Sequence, residues 1–189
     1  MKMIKNGIAA IALASLPLLG ACSEAKDDAT ATASTKDDGT LTLAAAITGE
    51  EGMSKLRDAL TKSELSGLLE GPGSYTVLAP TDTAFDALGE DGEALFADDQ
   101  KPMLIALLRD HMVPGHLTPE AIDKAIVDKG GPVTMTTLGE GQVTFAKEGD
   151  AITVSMPGGA KAKFAGTAVA ANNGVIIPLD AVLLPKKEG

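Results

Sequence analysis

The chain has 189 residues, with 26 Asp and Glu against 16 Lys and Arg, a formal charge of −10 at pH 7. That balance repels phosphate, so nucleic acid is excluded as a partner and anionic headgroups offer no electrostatic hold. Cys22 is the single cysteine, Trp is absent, and Tyr75 with four Phe is the whole aromatic complement. No internal disulfide can form, and Ala, Leu, Val and Ile must build the core.

Lys2 and Lys5 precede an uncharged run from Gly7 to Leu19, and the small residues Gly20 and Ala21 lead into Cys22. A basic start, a short apolar core and small residues before a cut site make a secretory signal. The run is shorter than the ~20 residues a spanning helix needs. The ending Leu19-Gly20-Ala21-Cys22 resembles the lipobox of bacterial lipoproteins. The resemblance implies a lipoprotein signal peptide over 1–21, cleavage before Cys22, a diacylglycerol on its sulfur and acylation of the new amino group. The implied partner is a bacterial membrane, reached through covalent lipid. Ser23 replaces the Asp of inner-membrane retention, which implies the outer membrane. Losing 1–21 removes two lysines and no acid, so 14 basic residues face 26 acidic ones, a formal charge of −12.

Residues 23–39 contain no large apolar side chain. Burial cannot offset the entropy of ordering them, so 22–39 reads as a lipidated cysteine followed by a disordered tether. Its 17 flexible residues span ~20–25 Å on average and at most ~60 Å.

From Thr40 the pattern changes. Leu56, Leu60, Leu65, Leu68 and Leu69 recur at helical spacing, with Ser63 as a cap between two short helices, and Gly71-Pro72-Gly73 ends the section. Tyr75 to Ala79 reads as a strand stopped by Pro80, after which Thr81 or Asp82 caps a helix holding Phe85 and Leu88. Pro102 to Met112 is expected to be the longest helix. Thr118-Pro119-Glu120 combines a hydroxyl cap, Pro at the first helical position and an acid in the first turn.

The last third is β in character. Short runs at Val133–Thr137, Gln142–Ala146 and Ile152–Ser155 are separated by Gly-rich turns, and 161–170 forms another candidate strand. Asn172-Asn173-Gly174 signals a tight turn into Val175-Ile176-Ile177, and Ala181–Leu184 closes the domain. Pro178 predicts a bulge or an edge position. Helices crowd the first half and strands the second, an α+β arrangement spanning 40–186.

Two motifs flank this domain. Tyr75-Thr76-Val77-Leu78-Ala79-Pro80-Thr81-Asp82-Thr83-Ala84-Phe85 and Asn173-Gly174-Val175-Ile176-Ile177-Pro178-Leu179-Asp180-Ala181-Val182-Leu183-Leu184-Pro185 resemble the two signatures of the fasciclin domain. Between them, Leu108-Arg109-Asp110-His111-Met112-Val113-Pro114-Gly115 resembles the family's central segment. The resemblance implies one wedge-shaped β-sandwich with helices along one side, used as a non-catalytic adhesion or interaction module. The chain departs from the family twice. Asp110 stands where animal members carry the Tyr of a Tyr-His pair linked to integrin binding, so that recognition does not carry over. Ile177 stands where the second signature usually has His.

The motif residues also have structural readings. Pro80 fixes the exit from its strand and Phe85 plugs the core. His111 packs at a helix end against the sheet. Asn173-Gly174 supplies the positive φ angles of a hairpin, and Asp180 receives backbone N–H groups. Pro114, Gly115 and His116, on an exposed loop at a helix-to-sheet junction, are the candidate contact residues.

No nucleophile elbow or phosphate loop occurs. His111 and His116, five apart across Pro114-Gly115, have no cysteine to join them as zinc ligands. The Asp86–Glu93 run lacks calcium-loop spacing and reads as a solvated turn. No catalytic residue, metal or cofactor is therefore expected. The expected function is a lipid-anchored envelope module that binds a protein or polysaccharide without turnover. Two alternatives are an envelope enzyme with an unrecognised carboxylate or Asp110/His111 site, and a self-associating structural surface protein.

Overall fold

A computed structural model describes residues 34–185. The signal segment, Cys22 and the tether up to residue 33 lie outside the described residues, as does the end of the chain from Lys186. Among the described residues, seven short α-helices and nine strands build three layers. Helices cover one face of a five-stranded sheet, and a four-stranded sheet covers the other. The expected α+β sandwich with helices along one side is the observed architecture.

The first sheet is ordered β1-β8-β9-β2-β3, comprising Thr35–Asp37, Ala168–Ala171, Gly174–Leu179, Tyr75–Pro80 and Met112–Pro114. At its centre the two signature motifs lie side by side. β2 runs parallel to β9 in unbroken register from Tyr75 opposite Gly174 to Pro80 opposite Leu179. Side chains alternate across this pair because successive residues of a strand face opposite sides. Val77, Ala79 and Ile176 point into the helical layer. Leu78, Val175, Ile177 and Leu179 point toward the second sheet. Burial on both faces explains why these strands read as continuous apolar runs.

The helical layer holds α1 (Leu43–Gly49), α2 (Ser54–Lys62), α3 (Ser66–Glu70), α4 (Asp82–Asp86), α5 (Glu90–Ala94) and α6 (Lys101–Asp110). Thr42 and Thr81 cap α1 and α4 through their hydroxyls. Ser63 follows α2 as its buried C-cap. Helix α7 (Pro119–Lys129), capped by Thr118, packs instead on the second sheet, and at 11 residues it outruns the 10 of α6. The longest helix is therefore not the one the sequence singles out, because Met112 leaves α6 to open β3. The second sheet is an antiparallel meander, β4 (Val133–Thr136), β5 (Gln142–Glu148), β6 (Ala151–Ser155) and β7 (Lys161–Lys163).

Three strands also depart from expectation. Thr35–Asp37, assigned to the disordered tether, is an ordered edge strand pairing parallel with β8. Ladder bonds hold it, not the side-chain burial whose absence argued for disorder. The 161–170 run is two strands in different sheets, separated at Gly166, whose φ of 75° breaks the extension. Pro178, expected at a bulge or an edge, sits in central strand β9. Its carbonyl accepts the Ala165 N–H at 2.8 Å, on the side away from β2. The missing N–H would point that same way, beyond where β8 pairs, so the proline removes no bond to β2.

Candidate functional site

The loop after β3 is fixed from beneath by one buried hydroxyl. Thr76, fully buried in β2, donates to the Gly115 carbonyl at 2.8 Å and accepts the Leu117 N–H at 2.9 Å. Gly115 N–H donates to the Ser74 carbonyl at 2.9 Å, and its φ of 105° suits only glycine at low cost. Pro114 and His116 are exposed on either side of this anchored glycine. The loop therefore presents two side chains from a rigid base. Thr76 escaped the sequence reading. Its signal was a lone hydroxyl inside an otherwise apolar strand, which burial obliges to find partners.

His111 lies at the end of α6, 2% exposed. Its Nε2 accepts the Leu183 N–H at 3.0 Å, so the ring proton sits on Nδ1, which donates to the Leu107 carbonyl at 2.8 Å. Burial pushes its pKa down to about 4, against smaller upward pulls from the Leu107 carbonyl and the Asp110 charge. The imidazole is neutral at pH 7 and both nitrogens are committed. Neighbouring Asp110 accepts the Thr137 hydroxyl at 2.8 Å. Side chains at Gly139 or Gly141 would collide with its carboxylate, so the Gly-Glu-Gly turn wraps it closely.

The remaining motif residues are joints of the scaffold. Asp180 Oδ1 accepts the Lys163 N–H at 2.7 Å, tying the end of β9 to β7. Phe85 is buried among the helices, edge-on to Phe96 with ring centroids 5.9 Å apart. Pro80 ends β2, and Thr81 N–H then reaches the Leu179 carbonyl at 3.1 Å.

Asn173 does more than turn the chain. Its Oδ1 accepts the Leu43 N–H at 2.8 Å, and its Nδ2 donates to the carbonyls of Leu69 (2.8 Å) and Gly71 (3.0 Å). It is not among the residues with positive φ, and Gly174 is almost fully extended at 159°. The expected pair of positive angles is therefore absent. Glycine is needed at 174 because a Cβ there would collide with the Tyr75 carbonyl of the neighbouring strand.

Asp82 is a joint that the sequence reading placed only as a possible cap for its own helix. It caps α2 from outside: Oδ2 accepts the Ser54 hydroxyl at 2.6 Å and Ser54 N–H at 3.2 Å, and Oδ1 accepts Lys55 N–H at 2.8 Å. Partial burial pushes its pKa up. The Ser54 hydroxyl and the two N–H groups outweigh that and hold it below the usual carboxylate range. Met53, at the N-cap of α2, has no side chain able to do this.

Two of the open depressions on the helical layer differ in character. One, of about 550 Å³, runs between α1, α2 and α3 and is lined by hydroxyls and by Arg57 and Glu70. The other, of about 240 Å³, is apolar and follows the outer side of α6, where Met103 is 58% exposed. Asp110 is among its lining residues. Among the described residues, no three His, Cys, Asp or Glu side chains gather as metal ligands, and no helix is long and apolar enough to cross a membrane.

Comparison with known proteins agrees with this geometry. Residues 51–185 match the fasciclin domain. Protein sll1483 of Synechocystis is 31% identical over 149 residues, covering 78% of this chain and 76% of that protein. The transforming growth factor-beta-induced protein ig-h3 of Sus scrofa is 31% identical over 137 residues, which are 72% of this chain but 18% of that much longer protein. In structure, a domain pair from the insect cell adhesion molecule Fasciclin I superposes with a TM-score of 0.69 over 79% of this chain and 52% of that one, at 18% identity. Fasciclin domains are associated with adhesion and interaction. On the match across its folded part, this chain belongs to the fasciclin-domain family.

Proposed function

We propose that this chain is a lipid-anchored module of the bacterial cell envelope that binds a partner through its folded domain, without turnover. The observation that carries the non-catalytic reading is the commitment of both His111 nitrogens to backbone groups, with Asp110 taken up by Thr137. The Asp110–His111 pair is the named site of the enzyme alternative, and its imidazole has no free nitrogen with which to move a proton. The adhesion named for Fasciclin I supports the same reading by analogy.

A protein is favoured over a polysaccharide. Phe85, Phe145 and Phe164 are buried, and Tyr75 and Phe96 are half-buried, so none of the five aromatic rings lies open as a platform for a sugar face. Recognition is assigned to Pro114, Gly115 and His116, displayed by the Thr76 anchor. The anchor is assigned to Cys22 and the destination to the outer membrane, on the Leu19–Cys22 motif and Ser23. Two acyl chains, at ~0.8 kcal/mol per buried methylene, hold firmly where one does not.

The test is a crosslinking capture from the native envelope, comparing the full chain with a Pro114→Ser/His116→Ser variant. Loss of the captured protein, with an unchanged melting temperature, is the expected result. Acyl mass on Cys22 of the mature chain checks the anchor. Hydrolysis of an ester, glycoside or peptide that Asp110→Asn abolishes would replace this reading with the enzyme.

A further inference from the structure

β1 is held differently from every other strand of its sheet. Lys36 and Asp37 are exposed and Thr35 is half-buried, so the strand contributes no buried side chain. Its hold is a short ladder and surface polar contacts. Ala168 N–H donates to the Ser34 carbonyl and Asp38 N–H to the Ala170 carbonyl, both at 2.8 Å. The Thr35 hydroxyl reaches the Glu120 carboxylate at 2.8 Å, and Lys36 lies 3.6 Å from Glu50.

The strand it covers is the opposite in character. Ala168, Val169 and Ala171 of β8 are buried, and without β1 their outer edge would offer unpaired N–H and C=O groups. Such an edge takes up an extended segment readily, through main-chain bonds.

The connection from β1 to α1 lies at the surface, with Gly39, Thr40 and Leu41 exposed. Leu41 N–H donates to the Asp38 carbonyl at 2.9 Å and Gly39 N–H to Asp37 Oδ1 at 3.0 Å, a compact polar turn. Beyond it, Asn172 N–H holds the Leu41 carbonyl at 2.8 Å, which fixes the body of the domain from that point on. Residues 38–40 are therefore a hinge that could open into an extended link.

We propose that β1 is an exchangeable strand and that the β8 edge accepts β1 from a second copy of this chain, joining copies that share a membrane. The second copy is the occupant that fits best, because its residues 34–38 carry the same backbone register and the same Thr35 and Lys36 contacts. Exchange creates no new kind of interface. It exchanges each contact for its equivalent in the neighbour, so its cost is set by local concentration and hinge opening. The proposal uses the anchored reading only for that concentration. Exchange itself is readable without lipid.

The experiment uses the mature chain with Cys22→Ser, so that engineered cysteines are alone. Asp37 and Ala170 are register partners, and both are accessible. The double variant Asp37→Cys/Ala170→Cys should close an intramolecular disulfide on oxidation, and failure to close it would remove β1 from β8 and sink the proposal. Next, separate Asp37→Cys and Ala170→Cys proteins are mixed in equal amounts, equilibrated and oxidised. Exchange predicts mixed dimers well above the one-to-two-to-one ratio of random collision; that random ratio, or no mixed dimer, overturns it. On vesicles, natively lipidated forms of the single variants should raise the mixed product roughly tenfold or more at equal protein. Exchange in solution without that rise would count against the anchored reading alone.

Discussion

Leu183 gives its backbone N–H to Nε2 of His111 at 3.0 Å, while Nδ1 of the same ring donates to the Leu107 carbonyl. The histidine thus bolts the end of α6 to the closing segment of the second signature, two parts of the chain 72 residues apart. Replacing it with Ala leaves the buried Leu183 N–H without its partner and opens a void, while the Leu107 carbonyl keeps the backbone N–H of residue 111. A loss of about 1–3 kcal/mol is expected from the unpaired group, read as a lower urea midpoint with an unchanged slope.

The same ring makes the fold acid-sensitive in a defined window. Its folded pKa of about 4 lies below the ordinary 6.5, so the unfolded chain binds the proton first. The stability it contributes is complete above pH 6.5 and is lost as pH falls toward 4. By linkage that loss amounts to about 3 kcal/mol. A His111→Gln protein should be less stable at pH 7 and should show a flatter profile between pH 6.5 and 4. Denaturation curves at half-unit intervals check both.

Asp82 is expected to matter through a helix it does not belong to. Removing its carboxylate with Asp82→Ala uncovers the first N–H groups of α2, at a cost of about 1 kcal/mol. Amide hydrogen exchange should quicken at Ser54 and Lys55 and leave α4, capped by Thr81, near its original rate.

Asn173→Asp tests whether the side chain is a joint or a turn former. A carboxylate could still accept from Leu43 N–H but would face the carbonyls of Leu69 and Gly71 with no hydrogen to offer. A loss of about 2–3 kcal/mol is expected. A turn-only role would leave the melting temperature nearly unmoved.

Gly174→Ala should be severely damaging, because its methyl falls on the Tyr75 carbonyl and would force β2 and β9 apart. A loss above about 4 kcal/mol, or no folded protein, is expected. Gly149→Ala, with open space around it and a φ of 61°, should cost only about 1–2 kcal/mol. Circular dichroism of the two variants side by side decides it.

The architecture was legible in the sequence where local signals agree with tertiary context. Thr118-Pro119-Glu120 announces α7, and the hydroxyl of Thr118 does accept the Ala121 N–H at 3.2 Å. The two signatures identified the domain, although nothing in either says that they pair with each other. What stayed hidden was long-range. Pro178 is tolerated in a central strand because β8 begins at Ala168, past the position that would face it, and β1 is held by its ladder to β8. The candidate loop at 114–116 could be named from its Pro-Gly turn. Its anchor, Thr76, depends on a hydroxyl 39 residues upstream of Gly115, which no local window contains.

The register of β2 against β9 also sets a timetable. Tyr75 must wait for Gly174 and Pro80 for Leu179, so the middle of the first sheet cannot form until nearly the whole chain is available. Contacts this distant in sequence slow folding, and in the interval β2 offers only its antiparallel bonds to β3. Under the export proposed above, in which the chain crosses a membrane as an extended polymer, that delay is useful. The β2–β9 ladder closes only once both signatures are available together.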